Sequence, residues 1–476
     1  MTEQSRSAYP MSNAREQSLA RQRVVAGSRM RLERFLQRRG YQPVTTPMLE
    51  PTDLFLKKSG GELAARMYSF TDPSGRRVSL RPEFTSSVVQ AFVDGDLPGP
   101  LPQRWCYSGP VFRYEKGGDS GEFEQLGAEL IGAGSVAADA EMLALAVQGL
   151  TVLGVRGHRL RIGHVGVVAA MYEALGLSER SSMFLMGSLA ALRSGSESPE
   201  DVRAKAAQLG LLAPEANEHV SRITRAMAPE DAAEMVRSFV GQGVAGSTGQ
   251  RTPDEILRRY LKKLRLADEP GAFEKGLALC GELARAAGPA ARVRGRLARI
   301  ASRFRIRKNV LAPLEGVLTA LEQYDLRGVP VVLDLGLARG LAYYTGLQFD
   351  IEHQRIHGTH ALGGGGRYDD LIGALGGKRS TPAIGFAYGL DHVARLLPAG
   401  FGDDDVDGPA QVLVTAQETA FSEAVATAER LRAQGIPAEL DLESKSDAAA
   451  AKYARQRGIE TIMRVGQDGR VAEQFV

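Results

Sequence analysis

The chain has 476 residues, 43% of them hydrophobic and 24% charged, with a formal net charge of +3, which is too long for one ordinary domain and too evenly charged for a wholly basic nucleic-acid coat. No apolar run approaches the roughly eighteen residues a bilayer span needs, and the polar start Met1-Thr-Glu-Gln-Ser-Arg-Ser lacks a signal-peptide core, so a cytoplasmic protein with no membrane partner is expected. Two cysteines, Cys106 and Cys280, are too few for a disulfide framework or a thiolate metal site and are expected as reduced thiols.

Residues 1–13 read as a disordered leader. The stretch 15–39 has apolar positions at helical spacing and stops at Gly40. Tyr41-Gln-Pro-Val-Thr-Thr-Pro-Met-Leu-Glu-Pro51 then predicts an extended segment whose prolines belong at an edge or an interface. A strand at 78–80 leads through Arg81-Pro-Glu-Phe-Thr85 into a helix that starts near Ser86. Segments 104–115 and 121–132 form an antiparallel hairpin around the glycine-rich loop 116–120, and a helix at 137–153 follows. From 177 to 327 the pattern is almost wholly helical, rich in alanine, arginine and glutamate, as an inserted module would be. Inside it, 292–308 carries Arg292, Arg294, Arg296, Arg299, Arg303, Arg305, Arg307 and Lys308 with no acidic residue. That run is expected to meet a phosphate backbone. A shorter cluster, Arg258, Arg259, Lys262, Lys263 and Arg265, reads equally well as a solvated helix face.

Apolar alternation at Val331, Leu333 and Leu335 predicts a strand that delivers Arg339, Tyr343 and Tyr344 to its end. Gly363-Gly-Gly-Gly-Arg-Tyr-Asp-Asp-Leu371 follows, and its glycines would let backbone approach a ligand where any Cβ would obstruct it. The segment 383–397 reads as strand into helix, 399–408 as an aspartate- and glycine-rich linker, and 409–476 as a small βαβαβ unit. His353, His357 and His360 have a spacing that could hold zinc, but no cysteine or second cluster completes a site, so no metal site is expected.

Arg339-Gly-Leu-Ala-Tyr-Tyr, the glycine run, the hairpin and the 383–397 segment together resemble the histidyl-tRNA synthetases, and the likeness covers nearly the whole chain. It implies an α+β class II synthetase core with an antiparallel sheet over 14–176 and 328–398, a helical insertion over 177–327, and a shortened anticodon-binding-like α/β domain over 409–476 that lacks a final helix. Histidine, ATP with Mg2+, and tRNA are the implied ligands. A homodimer is implied through the first helix and the segment with Pro47, which look like the family's motif 1.

Carboxylate activation brings two anionic reactants together, so it needs cations. Arg113 matches the family's α-phosphate arginine, with Glu115 beside it, and Arg339 matches the arginine that supports adenylate formation. Asp334 and Asp350 offer Arg339 a structural ion-pair reading instead. Gly389-Leu-Asp-His392 stands where the family has Gly-Leu-Glu-Arg, which puts His392 at the nucleotide with Arg395 one turn on as a substitute cation. Glu83, Thr85, Gln125, Glu129, Tyr343 and Tyr344 resemble the histidine-binding positions and supply the carboxylates and neutral hydrogen-bonders that an α-ammonium and an imidazole require. The chain departs from the family in its weakly basic loop Lys116-Gly-Gly-Asp-Ser and in Leu341-Ala-Tyr-Tyr, which lacks a carboxylate. The alternative implied by the same core is a non-ligating paralogue that binds histidine as the regulatory subunit of ATP phosphoribosyltransferase, with that enzyme's catalytic subunit as its partner. The 409–476 unit and the basic insertion favour the ligase.

Overall fold

The hairpin read from the sequence lies at the heart of the structure, a computed structural model that describes residues 19–57, 63–114, 121–212, 231, 267–337, 343–354, 361–398, 401 and 411–476. The leader 1–13, the loop 116–120, the basic cluster at 258–265 and all of the linker 399–408 except Phe401 lie outside the described residues. Two compact units emerge: Met1–His164 with Pro313–Val332 and Arg339–Val476, and Val165–Ala312 with Leu333–Ala338.

The strands in chain order are β1 (Gln42–Pro43), β2 (Leu49–Pro51), β3 (Ser69–Thr71), β4 (Arg77–Leu80), β5 (Gln103–Phe112), β6 (Glu122–Ile131), β7 (His158–His164), β8 (Ala287–Pro289), β9 (Val331–Asp334), β10 (Leu347–His353), β11 (Gly363–Arg367), β12 (Ala383–Gly389), β13 (Val412–Ala416), β14 (Ala438–Leu440), β15 (Thr461–Val465) and β16 (Val471–Phe475). In the first unit the main sheet runs β1-β5-β6-β12-β11-β10-β7. Its neighbours pair antiparallel throughout except β1, which lies parallel to β5. The arms β5 and β6 are in register from Gln103 opposite Ile131 to Phe112 opposite Glu122. This is the α+β antiparallel core. Helix Val136–Val152, capped by Ser135, is buried on nearly every side, and Tyr388 of β12 donates its hydroxyl hydrogen to Ala146 O at 2.7 Å. The 41–51 segment is interrupted by its prolines into β1 and β2; the latter joins a small separate sheet, β2-β4-β3.

The four glycines do not form a ligand-cradling loop. They are the interior strand β11, buried between β10 and β12. A Cβ on Gly365 would lie 2.0 Å from the carbonyl oxygen of Gly385, and one on Gly366 would lie 2.7 Å from the ring of Tyr344. What approaches the glycine backbone is therefore a neighbouring strand and a tyrosine of the site. Glycine has poor strand propensity, which hid β11 in the sequence.

The C-terminal strands pair in the order β14-β13-β15-β16. Beyond the expected βαβαβ, β16 turns back antiparallel onto β15 through the tight turn at Gly466, whose N–H donates to Arg470 O at 2.9 Å. This module packs against the core of its own unit through buried charge. Arg104 of β5 donates to Glu439 Oε1 at 2.6 Å, to Tyr453 Oη at 3.1 Å and to Leu440 O at 2.9 Å. Glu439, fully buried, also accepts from Tyr453 and from Arg457.

The second unit is helical: Val165–Glu173, Glu179–Ser194, Pro199–Gln208, Pro270–Ala284 and Ala290–Arg303, with β8 as a short exception. Helix Ala290–Arg303 buries Val293, Leu297, Ile300 and Ala301 along one stripe and leaves Arg292, Arg299 and Arg303 exposed. Glu282 balances part of this charge, 2.8 Å from Arg303, 3.5 Å from Arg285 and 3.8 Å from Arg296. Cys106 and Cys280 are free and buried, and burial pushes their thiols up to about 12 and about 11 respectively. No helix among the described residues is long and apolar enough to cross a membrane.

Candidate active site

Strand alternation puts Gln125, Gly127 and Glu129 of β6 on one face. Glu129 faces Trp105 across one edge of its strand and Gly385 across the other. A Cβ on Gly385 would collide with the Glu129 carboxylate, so this glycine supplies the room in which the carboxylate lies. Its Oε1 accepts from Thr85 Oγ1 at 2.7 Å and from Tyr107 Oη at 3.0 Å, and its Oε2 accepts from Tyr368 Oη. Burial raises its pKa to about 7, against the pull of those three hydroxyl donors. The result is a buried carboxyl group poised near neutrality and surrounded by hydroxyls.

Glu83 stands just before helix Thr85–Asp94, and its carboxylate accepts from the Ser86 N–H at 3.1 and 3.2 Å. Burial moves its pKa up as well, while the hydrogen bonds and the nearby Arg113 act in the opposite direction. Gln125 is buried, and its amide oxygen has no hydrogen-bond partner among the described residues. Tyr343 is buried next to Glu83 and Glu129, with its ring 5.0 Å from that of Tyr344 and 6.0 Å from that of Tyr368. The structure thus gathers Glu83, Thr85, Glu129, Tyr343 and Tyr344 around one apolar cluster that includes Phe84, Trp105 and Tyr107.

Of the residues expected at the nucleotide, Arg113 directly follows the end of β5. Arg113 donates from Nε to Pro82 O at 2.7 Å and sets its guanidinium 5.2 Å from the centre of the Phe123 ring. Phe123 and His392 flank Gly389, which is opposite Gln125 in register. His392 is half-buried in helix Leu390–Ala394, and Arg395 is the exposed residue that caps that helix. Its neighbour Asp391 accepts from the Glu124 N–H at 2.7 Å and pairs with Arg21 at 3.8 Å, which fixes the helix start to β6 and the first helix. Glu115 and Arg339 lie outside the described residues.

Tyr107 and Tyr368 are site residues that the sequence pattern does not single out. A tyrosine within an apolar strand reads as core, and only the register that sets Tyr107 against Gly127 shows that its hydroxyl reaches over a glycine toward Glu129. Arg367 was equally silent. Its guanidinium binds Asp139 at 2.6 and 2.8 Å, Asp369 at 3.1 Å and Ala133 O at 3.1 Å. Asp369 accepts from the Ala383 N–H at 2.9 Å, and its own N–H donates to Thr345 Oγ1 at 3.1 Å. This frame fixes the residues on either side of Tyr368 and Thr345, which follows Tyr344, and burial with the Arg367 charge keeps the neighbouring His164 neutral, its pKa pushed down to about 4.

His353 is engaged with Arg156 O at 2.9 Å, whereas His357 and His360 lie outside the described residues. Among the described residues no group of three or more His, Cys, Asp and Glu side chains could hold a metal ion.

Residues 14–240 and 250–393 match the family model for histidyl-tRNA synthetase. The histidine–tRNA ligase of Pyrococcus furiosus is 29% identical over 455 residues, covering 95% of this chain and 89% of that protein. That of Pyrococcus horikoshii is 30% identical over 431 residues, covering 90% and 84%. Among solved structures, the histidyl-tRNA synthetase of Nostoc sp. PCC 7120 aligns with a TM-score of 0.53 at 18% identity, covering 96% of this chain and 94% of that one. A Bacillus halodurans protein described as an ATP phosphoribosyltransferase regulatory subunit/histidyl-tRNA synthetase aligns with a TM-score of 0.52 at 20% identity, covering 94% and 93%. At such identities these structural likenesses establish the fold.

Proposed function

The chain belongs to the histidyl-tRNA synthetase family, and we propose that it activates histidine with ATP and transfers it to the 3′ end of a tRNA. One observation carries this reading: the buried Glu129, held near neutrality among the hydroxyls of Thr85, Tyr107 and Tyr368 with Glu83 close by; Gln125, on the same face of the strand, has an amide oxygen with no hydrogen-bond partner among the described residues. Glu83 and Gln125 offer acceptors to an α-ammonium. Glu129 and the tyrosine hydroxyls offer one acceptor and several switchable partners to an imidazole, which fits a side chain that is itself both donor and acceptor.

In the activation step a histidine carboxylate oxygen attacks the α-phosphorus of ATP, the bond to the β-phosphate oxygen breaks, and pyrophosphate leaves. Arg113 and Arg339 would balance the negative charge that gathers at the α-phosphate. In the transfer step a ribose hydroxyl of the tRNA attacks the activated carbonyl and AMP leaves. Magnesium would enter with the nucleotide phosphates as part of the substrate. Phe123 and His392, both close to Gly389, with Arg113 over the Phe123 ring, are the groups we assign to the adenine end.

The arginines of helix Ala290–Arg303 are the surface we assign to the tRNA backbone, and the small sheet β2-β4-β3, which leaves Leu49 and Phe70 exposed, is the surface we assign to a second copy of the chain. His392 in place of the family's arginine favours a second reading, a histidine-binding regulatory paralogue.

Histidine-dependent exchange of labelled pyrophosphate into ATP, followed by charging of tRNA, decides between them. Exchange with histidine alone among the amino acids supports activation, and charged tRNA completes the ligase. Tight histidine binding without exchange overturns the proposal in favour of the regulatory reading.

A further inference from the structure

Arg367 ends β11 opposite Ile384 of β12, on the face from which Tyr388 reaches helix Val136–Val152. Glu129 lies opposite Gly385, on the other face. The buried Arg367 commits every guanidinium nitrogen: Nε and Nη2 donate to Asp139 Oδ1, in the first turn of that helix, at 2.8 and 2.6 Å, and Nη1 donates to Ala133 O and to Asp369 Oδ1, each at 3.1 Å.

The next residue, Tyr368, turns to the site side and gives its hydroxyl hydrogen to Glu129 Oε2. It sits between two fixed points. Its own N–H donates to Ala383 O at 2.8 Å, and the Ala383 N–H donates at 2.9 Å to Asp369 Oδ1, the same oxygen that Arg367 holds. On the other flank the Arg367 carbonyl accepts from the Thr345 N–H at 2.9 Å, and a Cβ on Gly346 would lie 3.1 Å from Arg367 Cδ, so the turn after Tyr344 rests on the arginine stem. All of these groups belong to the first unit. A single buried guanidinium on the helix side of the sheet therefore fixes the backbone from which a phenol enters the site side.

We infer that Arg367 is a positioning residue for histidine recognition: held by Asp139, it aims the Tyr368 hydroxyl at Glu129 without touching the ligand itself. The inference rests on the histidine pocket proposed above. It also accounts for a charge that core packing does not call for, because a buried arginine–carboxylate pair adds little net stability over apolar residues of similar size. A lysine at 367 keeps the charge but gathers its donors on one atom and cannot span Asp139, Ala133 and Asp369 as the planar fork does.

Equilibrium binding of labelled histidine to wild type, R367K, Y368F and R367K/Y368F tests this, with thermal melting to confirm folding. R367K should weaken histidine binding by about 10-fold, the scale of one lost hydrogen bond, and should add less than about twofold in the Y368F background, where the hydroxyl it aims is gone. In infrared spectra the carbonyl stretch of protonated Glu129, identified by its absence from E129Q, should shift in R367K in the same direction as in Y368F, a change that lost stability alone does not produce. Unchanged affinity in folded R367K, losses that multiply in the double variant, or an unshifted Glu129 band would each overturn the inference. Should R367K fail to fold, D369A removes the side-chain bonds to Arg367 and Ala383 that flank Tyr368 while leaving the buried Arg367–Asp139 pair, and unimpaired binding there overturns it equally. A wild type that binds no histidine removes the pocket reading and this inference together, whereas wild-type binding that R367K leaves untouched removes only the positioning role.

Discussion

Glu129 is buried without exposed surface, and its folded pKa of about 7 lies above the ordinary 4.5. Between those values the folded chain holds a proton that the unfolded chain has released, so this group's contribution to stability is full below the lower value and is lost as pH rises through the higher one. E129Q has no such titration. Its ligand-free melting temperature should vary less than that of the wild type across about pH 5 to pH 7, the window in which the carboxyl group is being driven to ionise. The same substitution should raise KM for histidine by roughly 10- to 100-fold, the effect of losing one charge-assisted hydrogen bond. Y368F, which deletes one of the three hydroxyl donors, should raise that KM less, by about 10-fold. Glu83, Thr85 and Glu129 were legible only through the resemblance of their segments to the family's motifs, because taken singly each fits an ordinary structural position. Tyr107 and Tyr368 were not, since a tyrosine fits a core equally well and only the register of β5 on β6 shows where the Tyr107 hydroxyl goes.

At the scale of elements, β11 shows how far patterning carries. The hairpin arms β5 and β6 alternate apolar residues with others and were visible, whereas a strand of glycines has no pattern to alternate. β16 was missed for the opposite reason: it is an edge strand whose residues are nearly all exposed, so its side chains record no buried face. Neighbouring glycines should therefore respond differently to the same change. Gly366→Ala would set a methyl group against the Tyr344 ring and the carbonyl of Leu347, costing about 1–3 kcal/mol in urea unfolding and weakening histidine binding. Gly373→Ala, in helix Asp369–Ala374 with open space around it, should leave stability level or raise it by up to about 1 kcal/mol.

Across the whole molecule the decisive contacts are the remotest in sequence. Arg104 and Glu439 are 335 positions apart, and neither periodicity nor composition announces their pairing. The sequence reads as a small α/β unit over 409–476, but nothing in it announces the buried charge that fastens those residues to β5. Removing one partner leaves the other charged and dry, so E439Q should destabilise the protein by about 3–5 kcal/mol, while replacing both by apolar residues of similar size should cost far less. Chemical unfolding of the single and double variants measures the difference. The basic helix makes a separate prediction: replacing exposed Arg292 and Arg299 with alanine should weaken tRNA binding and lower the steepness of its dependence on log salt by up to about 2, near 1 for each phosphate left without its cation.

The buried seam also governs what recombination can do with this chain. In a protein whose modules meet through water and loose polar contacts, a C-terminal module is portable, and a related gene can lend its own. Here an incoming module would have to bring a carboxylate at position 439, a phenol at 453 and a cation at 457, in register with an arginine it did not evolve beside. Exchange between relatives is then confined to partners that carry both halves of the ion cluster, so the two halves are expected to be inherited as a single block.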